Sequence, residues 1–132
     1  MQHRGFIIFS GMAGLLGVIA GAMLSHQLKH RIPEDVQQIY ETAVRYQFYH
    51  VFALLATALL GNQIRSGYLI RAGNFFMLGI VLFSGSLYIM SALITNNISV
   101  PFLLGILTPI GGIAFMLGWF FLVLAAVRST TR

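Results

Sequence analysis

Four long apolar stretches, separated by short polar segments, limit most strongly how this chain can fold. They cover about residues 5–25, 42–61, 72–95 and 102–127. Each has about the 20 residues that an α-helix needs to span a hydrocarbon core of roughly 30 Å. The strands of a membrane β-barrel alternate apolar and polar residues, whereas these stretches are apolar at both odd and even positions. The pattern predicts an all-α, single-domain protein with four transmembrane helices in a bundle.

The composition indicates that lipid is the solvent for most of the surface. Of the 132 residues, 58% are hydrophobic and only 8% are charged, whereas about a quarter of the residues in a soluble domain are charged. The chain has no cysteine, which excludes disulfides and thiolate metal sites. Its net charge of +5 comes from single basic residues between the apolar stretches. We therefore expect a lipid bilayer as partner, and no nucleic acid.

The second helix is predicted to begin well before its apolar part. Pro33 suits a first helical turn, where a missing N–H costs nothing, and Glu34 and Asp35 follow where the helix dipole favours acids. A helix from Pro33 would extend to about Gly61. Its first turns carry apolar residues at the spacing of one helical face: Val36, Ile39, Tyr40, Ala43 and Val44. We expect an amphipathic extension at the outer end of this helix.

Glycines predict where helices approach each other closely, because they have no side chain to keep backbones apart. The first stretch places four of them along one predicted face: Gly11, Gly14, Gly17 and Gly21. Gly85, Gly111 and Gly112 are expected to pack in the same way in the later stretches, and Gly105 and Ala126 are further candidates. Packing within one chain and contact between two copies both remain open.

Polar side chains within the stretches are the candidate functional residues, because a polar group in a bilayer needs a partner or a role. His50 continues the apolar face of Val36 and Ala43, so it is predicted to point into the bundle near the middle of the membrane. Two interpretations are open for His50: a neutral imidazole hydrogen-bonded to a neighbouring helix, or a group that binds protons or a ligand. The predicted inward cluster comprises His26, Tyr46, Gln47, His50, Thr57, Ser84, Ser86, Tyr88 and Thr108.

Two other pairs of residues have helical spacing. Glu41 and Arg45 are predicted to form an ion pair at the level of the lipid headgroups. His26 and His30 have a spacing found in metal and haem sites, but the last two stretches contain no histidine that could complete such a site. We therefore expect no metal and no cofactor. Without a nucleophile beside a base, we also expect no enzyme.

Several of these motifs resemble the YgdD-like family of small four-helix inner-membrane proteins, a domain of unknown function with eukaryotic transmembrane relatives. The resemblance extends over nearly the whole chain. It is carried by LFSGSLY at 82–88, by TPIGG at 108–112 with Gly118-Trp119 after it, and by Tyr46-Gln47 with His50. Where the family reads GAFGAH, this chain reads GAMLSH at 21–26, which keeps His26 but not the small residues before it.

The resemblance implies four transmembrane helices and a location in the bacterial inner membrane, and it implies no particular activity. The positions of this chain that match the family's pattern are His26, Tyr46, Gln47, His50, Ser84, Ser86, Tyr88, Thr108 and Pro109.

Two functions fit this pattern. The first is a structural or accessory membrane component whose polar residues fix the helix bundle. It is favoured because no stretch contains an unpaired acid, which pumps usually need near the midplane. The second is a small-solute or ion transporter or channel with a polar path near His50. A four-helix chain is small for alternating access, so this second function requires an oligomer. A homo-oligomer and a membrane-protein partner both stay open.

The distribution of basic residues predicts that both termini lie in the cytoplasm. Five arginines flank the side that holds the termini and the middle loop: Arg4, Arg65, Arg71, Arg128 and Arg132. The other side has Lys29, Arg31 and Arg45, and the side richer in basic residues is usually cytoplasmic. We expect a cytoplasmic reporter fused to the C-terminus to be active. An active periplasmic reporter at that position would contradict this orientation.

Overall fold

A computed structural model describes residues 2–128 and 130–131. They form five α-helices: α1 (Gln2–Met23), α2 (Glu34–Leu60), α3 (Gly67–Gly79), α4 (Gly85–Thr95) and α5 (Phe102–Arg128). A π-helical turn, Leu24–Leu28, extends α1, and another, Ile80–Ser84, joins α3 to α4. Two short strands, β1 (Ile64–Arg65) and β2 (Thr130–Thr131), pair in antiparallel fashion.

The helices form four continuous segments, each long and apolar enough to cross a membrane: His3–Leu28, Glu34–Leu60, Gly67–Thr95 and Phe102–Arg128. The predicted all-α class with four membrane-length helices is confirmed. The third segment begins at Gly67, earlier than residue 72, because the Ser66 hydroxyl accepts a hydrogen bond from the Tyr68 N–H (3.2 Å) and caps the helix. Asn97, with a positive φ of 55°, lies in the break between α4 and α5.

The extended second helix is also confirmed. Pro33 is the N-cap of α2, and the helix continues to Leu60. The apolar face of its first turns is covered by protein, because Val36 forms a small core with Leu24 and Ile32 where the chain passes from α1 to α2. The amphipathic extension therefore packs against the end of α1 and the connecting loop.

The second segment (α2) and the third (α3 with α4) form the centre of the bundle. The α2 helix contacts α1 on one side and both α3 and α4 on the other, while α5 packs mainly along α3 and the π-helical turn. The main core contains Leu54 of α2, Phe76 of α3 and Phe115 of α5. Polar side chains on α2 can therefore reach every other segment.

A short sequence repeat explains the close packing of α3 on α5. Both helices contain the tetrapeptide Phe-Met-Leu-Gly, at 76–79 and at 115–118. The ring of Phe76 lies where a side chain at Gly118 would be, and the ring of Phe115 lies where one at Gly79 would be. Because the two helices run in opposite directions, each copy supplies one ring and one glycine. Neither contact was among the sequence predictions.

The glycine predictions are only partly correct. In α1, Gly14, Gly17 and Gly21 face α2, but no heavy atom of another residue lies within 4 Å of where a Cβ at Gly11 would be. At 100° per residue, Gly11 is rotated by about 90° from the mean direction of the other three. Gly85 also has no such neighbour, because the wider π-helical turn before it shifts the helical register. A Cβ at Gly105 would also have no neighbour within 4 Å.

Gly111 and Gly112 provide a test of the packing between α4 and α5. A Cβ at Gly111 would meet the backbone of Phe83, whereas one at Gly112 would lie 3.9 Å from the Phe83 ring, an ordinary contact. We expect Gly111→Ala to lower the free energy of unfolding by about 1–3 kcal/mol, because a backbone cannot move aside without strain.

The adjacent variant Gly112→Ala is the matched control and should unfold at the same or a slightly higher concentration of denaturing detergent. Circular dichroism during titration with sodium dodecyl sulfate measures both variants. Equal stability of the two would show that the close approach at Gly111 is not a constraint.

Candidate functional site

Gln47 of α2 joins three helical segments through its side-chain amide. Its Nε2 donates to the carbonyl oxygen of Ala13 in α1 (2.6 Å), and its Oε1 accepts from the hydroxyl of Tyr88 in α4 (2.7 Å). Only 4% of Gln47 is exposed. Because hydrocarbon offers no hydrogen-bond partners, an amide at this depth is stable only when protein groups satisfy it. Gln47 therefore fixes the rotation of α2 relative to both neighbours.

Ser84 makes a second bond between the same central segments. Its hydroxyl donates to the carbonyl oxygen of Ala43 (2.8 Å), and both residues are buried. Ser84 is the last residue of the π-helical turn, so this irregular turn is tied directly to the α2 backbone.

His50 is held by hydrogen bonds at both ring nitrogens. Its Nδ1 lies 2.7 Å from the carbonyl oxygen of Tyr46, and its Nε2 accepts from the indole N–H of Trp119 in α5 (3.2 Å). A carbonyl can only accept, so Nδ1 carries the proton, and the indole can only donate, so Nε2 is unprotonated. The imidazole is therefore the neutral Nδ1–H tautomer. A proton or a metal ion at Nε2 would have to displace Trp119.

Aromatic rings surround the imidazole. It stacks on Phe115 with ring centroids 3.4 Å apart and planes 7° from parallel. Phe76 lies 5.8 Å away and Tyr46 lies 6.1 Å away. With 5% of the residue exposed, these apolar surroundings favour the neutral ring, since an uncompensated charge in such a place is costly.

Ser86 and Thr108 connect α4 to α5. Their hydroxyl oxygens are 2.7 Å apart, and Ser86 Oγ also donates to the carbonyl oxygen of Phe83 (2.9 Å). Either hydroxyl can be the donor in the pair, because Thr108 Oγ1 also lies 3.4 Å from the carbonyl oxygen of Leu104. These two members of the predicted inward cluster therefore bond to each other.

Two members of the predicted inward cluster, His26 and Tyr46, are exposed, and a third, Thr57, is buried but does not bond to another helix. His26 is exposed on the π-helical turn that ends the first segment, since this turn lies beyond the packed part of α1. Tyr46 is 38% exposed, and its ring packs on Phe83 with centroids 4.8 Å apart. Its carbonyl oxygen accepts from His50, and its ring lies beside the imidazole. Thr57 is buried, but its hydroxyl donates to Ala53 of its own helix (2.8 Å).

The predicted ion pair is also wrong. Glu41 and Arg45 are both exposed, and no salt bridge joins them in the part of the chain that is described. An exposed pair gains only about 0–1 kcal/mol and loses side-chain freedom when it forms, so the two side chains stay apart.

Two residues whose polar groups lie at the bundle were missed: Trp119, which is 47% exposed but bonds to His50, and Ser10, which is buried. Trp119 is the only tryptophan of the chain, and its indole N–H needs an acceptor in the apolar layer; that need was the available signal. Ser10 is 1% exposed, and its hydroxyl has no hydrogen-bond partner in the described structure. Ser10 lies in the first apolar stretch with no polar residue at helical spacing around it, so nothing in the sequence distinguished it.

Two lateral grooves flank α2. One lies between α1 and α4, has a volume of about 500 Å³ and contains Gln47, Ser84 and Tyr88 among mainly apolar residues. The other lies between α2 and α5, has a volume of about 600 Å³ and is lined by aromatic residues that include His50 and Trp119. Among the described residues, no group of three or more metal-ligating side chains occurs.

These features define a class: a small four-helix membrane protein whose polar side chains bond to each other and to backbone carbonyls across the bundle. The model of a family described as a protein of unknown function (DUF423) matches residues 20–112. No solved structure is significantly similar.

Two relatives are similar over nearly their whole length. The UPF0382 membrane protein YwdK of Bacillus subtilis is 41% identical over 124 residues, which are 93% of this chain and 96% of that protein. The UPF0382 inner membrane protein YgdD of Escherichia coli K12 is 31% identical over 128 residues, which are 97% of this chain and 93% of that protein. The chain belongs to this family of membrane proteins of unknown function, as the motif resemblance predicted.

The bond from Tyr88 to Gln47 can be tested with a single hydroxyl. We expect Tyr88→Phe to lower the free energy of unfolding by about 1 kcal/mol, since hydrogen bonds between membrane helices contribute about 0.6 kcal/mol on average and up to about 1.7 kcal/mol. Tyr49→Phe is the matched control, because Tyr49 is exposed and its hydroxyl makes no hydrogen bond in the described structure. Equal unfolding of the two variants in a detergent titration would show that the bond from Tyr88 to Gln47 does not stabilise the bundle.

Proposed function

We propose that this protein is a noncatalytic structural or accessory component of the inner membrane. The observation that supports this proposal is that Gln47 and His50 each make two hydrogen bonds within the chain. Both polar groups of the glutamine amide and both nitrogens of the imidazole have partners within the chain. Side chains bonded in this way stabilise a bundle, and the one donor that these two side chains leave over in the described part of the chain is the second N–H of Gln47.

A transport path through the chain is disfavoured by the same bonds. The groups that a path near His50 would use are Ser84, Ser86 and Thr108, and each is bonded to another segment or to its own helix. Opening a path would break these bonds in an environment without water to replace them. The polar groups therefore serve packing.

An enzymatic role lacks its usual elements. A hydroxyl nucleophile needs a base within hydrogen-bond reach, but the two partners of His50 are a carbonyl oxygen and an indole. The hydroxyl of Ser84 donates to a backbone carbonyl. We therefore propose that the chain carries out no chemistry of its own.

The orientation in the membrane belongs to the same proposal. The Escherichia coli relative is called an inner membrane protein, and a multi-pass chain with the same family pattern fits that membrane. All three acidic residues, Glu34, Asp35 and Glu41, lie near the outer end of α2. The opposite end carries arginines alone, which supports cytoplasmic termini.

Cysteine accessibility tests whether the polar residues line a water-filled path. The chain has no cysteine, so no native cysteine has to be replaced before single-cysteine variants are made. We expect Ser84→Cys and Ser86→Cys in native membranes to resist a water-soluble maleimide, because both positions are buried between helices. Labelling is quantified by the mass added to the purified protein.

Asn97→Cys is the control for this experiment, because Asn97 is exposed in the loop before α5. It should react rapidly, and all three variants should react after denaturation. If Ser84→Cys or Ser86→Cys reacts as fast as Asn97→Cys in folded protein, a solvated path exists and the structural role is incorrect.

A further inference from the structure

A small polar pocket lies between the start of α3 and the end of α5. It has a volume of about 300 Å³ and is lined by Ser66, Gly67, Tyr68, Arg71 and Arg128. We call this group the arginine pocket. Pairing of β1 with β2 places the chain next to Ser66 beside the chain that follows Arg128, which brings the two helix ends together.

From this arrangement, we propose that the arginine pocket binds the phosphate of an anionic membrane lipid. Tyr68 contacts both guanidinium groups. The central guanidinium carbon of Arg71 is 5.6 Å from the centroid of the Tyr68 ring, and an Arg128 Nη1 atom donates to the Tyr68 hydroxyl (3.4 Å). A cation within about 6 Å of an aromatic ring is attracted to it. One positive group therefore lies over the ring of Tyr68 and the other at its hydroxyl.

The charges of these arginines are not balanced by acidic side chains. The only acidic residues of the chain are Glu34, Asp35 and Glu41, near the opposite end of the bundle. Each guanidinium has five N–H donors arranged in a planar fork, which suits the paired oxygens of a phosphate. An anion in the arginine pocket would satisfy these donors and offset the repulsion between the two positive charges.

The depth of the pocket indicates a lipid as the source of the phosphate. Arg128 is the last residue of α5, and Arg71 is about 6 Å along the helix from the start of α3. This is the level of lipid headgroups, where basic pockets between transmembrane helices bind anionic lipids. Phe121 stacks on Tyr68 and on Phe75, with centroids 6.2 Å and 5.5 Å apart. These rings offer apolar contact to an acyl chain, which free phosphate lacks.

Native mass spectrometry of the full chain in mild detergent tests this proposal. We expect bound phosphatidylglycerol, with phosphatidylcholine bound more weakly. Arg71→Gln and Arg128→Gln should each weaken phosphatidylglycerol binding about fivefold, as expected for one basic residue near a membrane surface. Arg4→Gln is the matched control, because Arg4 is exposed in α1 at the same end of the bundle and lies outside the pocket; it should leave the affinity unchanged.

Three results would overturn the proposal. Equal binding of the two lipids by the unchanged protein would remove the preference for an anion. Equal weakening by Arg4→Gln would indicate diffuse surface charge and not a pocket. An equal rise in melting temperature with inorganic phosphate and with dihexanoyl phosphatidylglycerol would show that the acyl chains play no part. Arg128 is exposed at a helix end, so Arg128→Gln provides the test even where Arg71→Gln does not fold.

Discussion

The absence of hydrogen-bond partners in hydrocarbon is the constraint on which the rest of this structure depends. A buried amide or imidazole without a partner would cost several kcal/mol in that environment. Gln47 and His50 avoid this cost by bonding to α1, α4 and α5 as well as to their own helix. These bonds have a defined geometry, so they select one rotation of α2 among the many that apolar packing alone would allow.

Close packing of aromatic rings on glycines stabilises the bundle in addition to the hydrogen bonds. Lipid tails are as apolar as leucine side chains, so helices in a bilayer gain little from hydrophobic burial and depend on contact area. The reciprocal contacts of Phe76 with Gly118 and of Phe115 with Gly79 provide that area. Phe115 also stacks on His50. The position of His50 is therefore fixed both by the packing of α3 on α5 and by its own hydrogen bonds.

The two ends of the bundle differ in charge. The interior stabilises the fold, whereas the charged ends are the surfaces that contact other molecules. Positive and negative residues are mixed near the start of α2, while arginines alone occupy the end that holds both termini. A bundle whose Gln47 and His50 are bonded within the chain and whose one end is basic is suited to a fixed position among lipids or beside another membrane protein. This is the physical basis for the accessory role that we propose.

The sequence by itself determined the four helices, the extended start of α2 and the inward direction of Gln47, His50 and Ser84. Hydropathy and helical periodicity suffice for these features because both are properties of a single segment. Only the tertiary structure decided that Trp119 bonds to His50, that Gly11 points outward and Tyr46 lies at the edge of the bundle, and that a π-helical turn separates α3 from α4. Partners depend on the relative depth and rotation of helices far apart in the chain, and the periodicity of one helix contains no information about either.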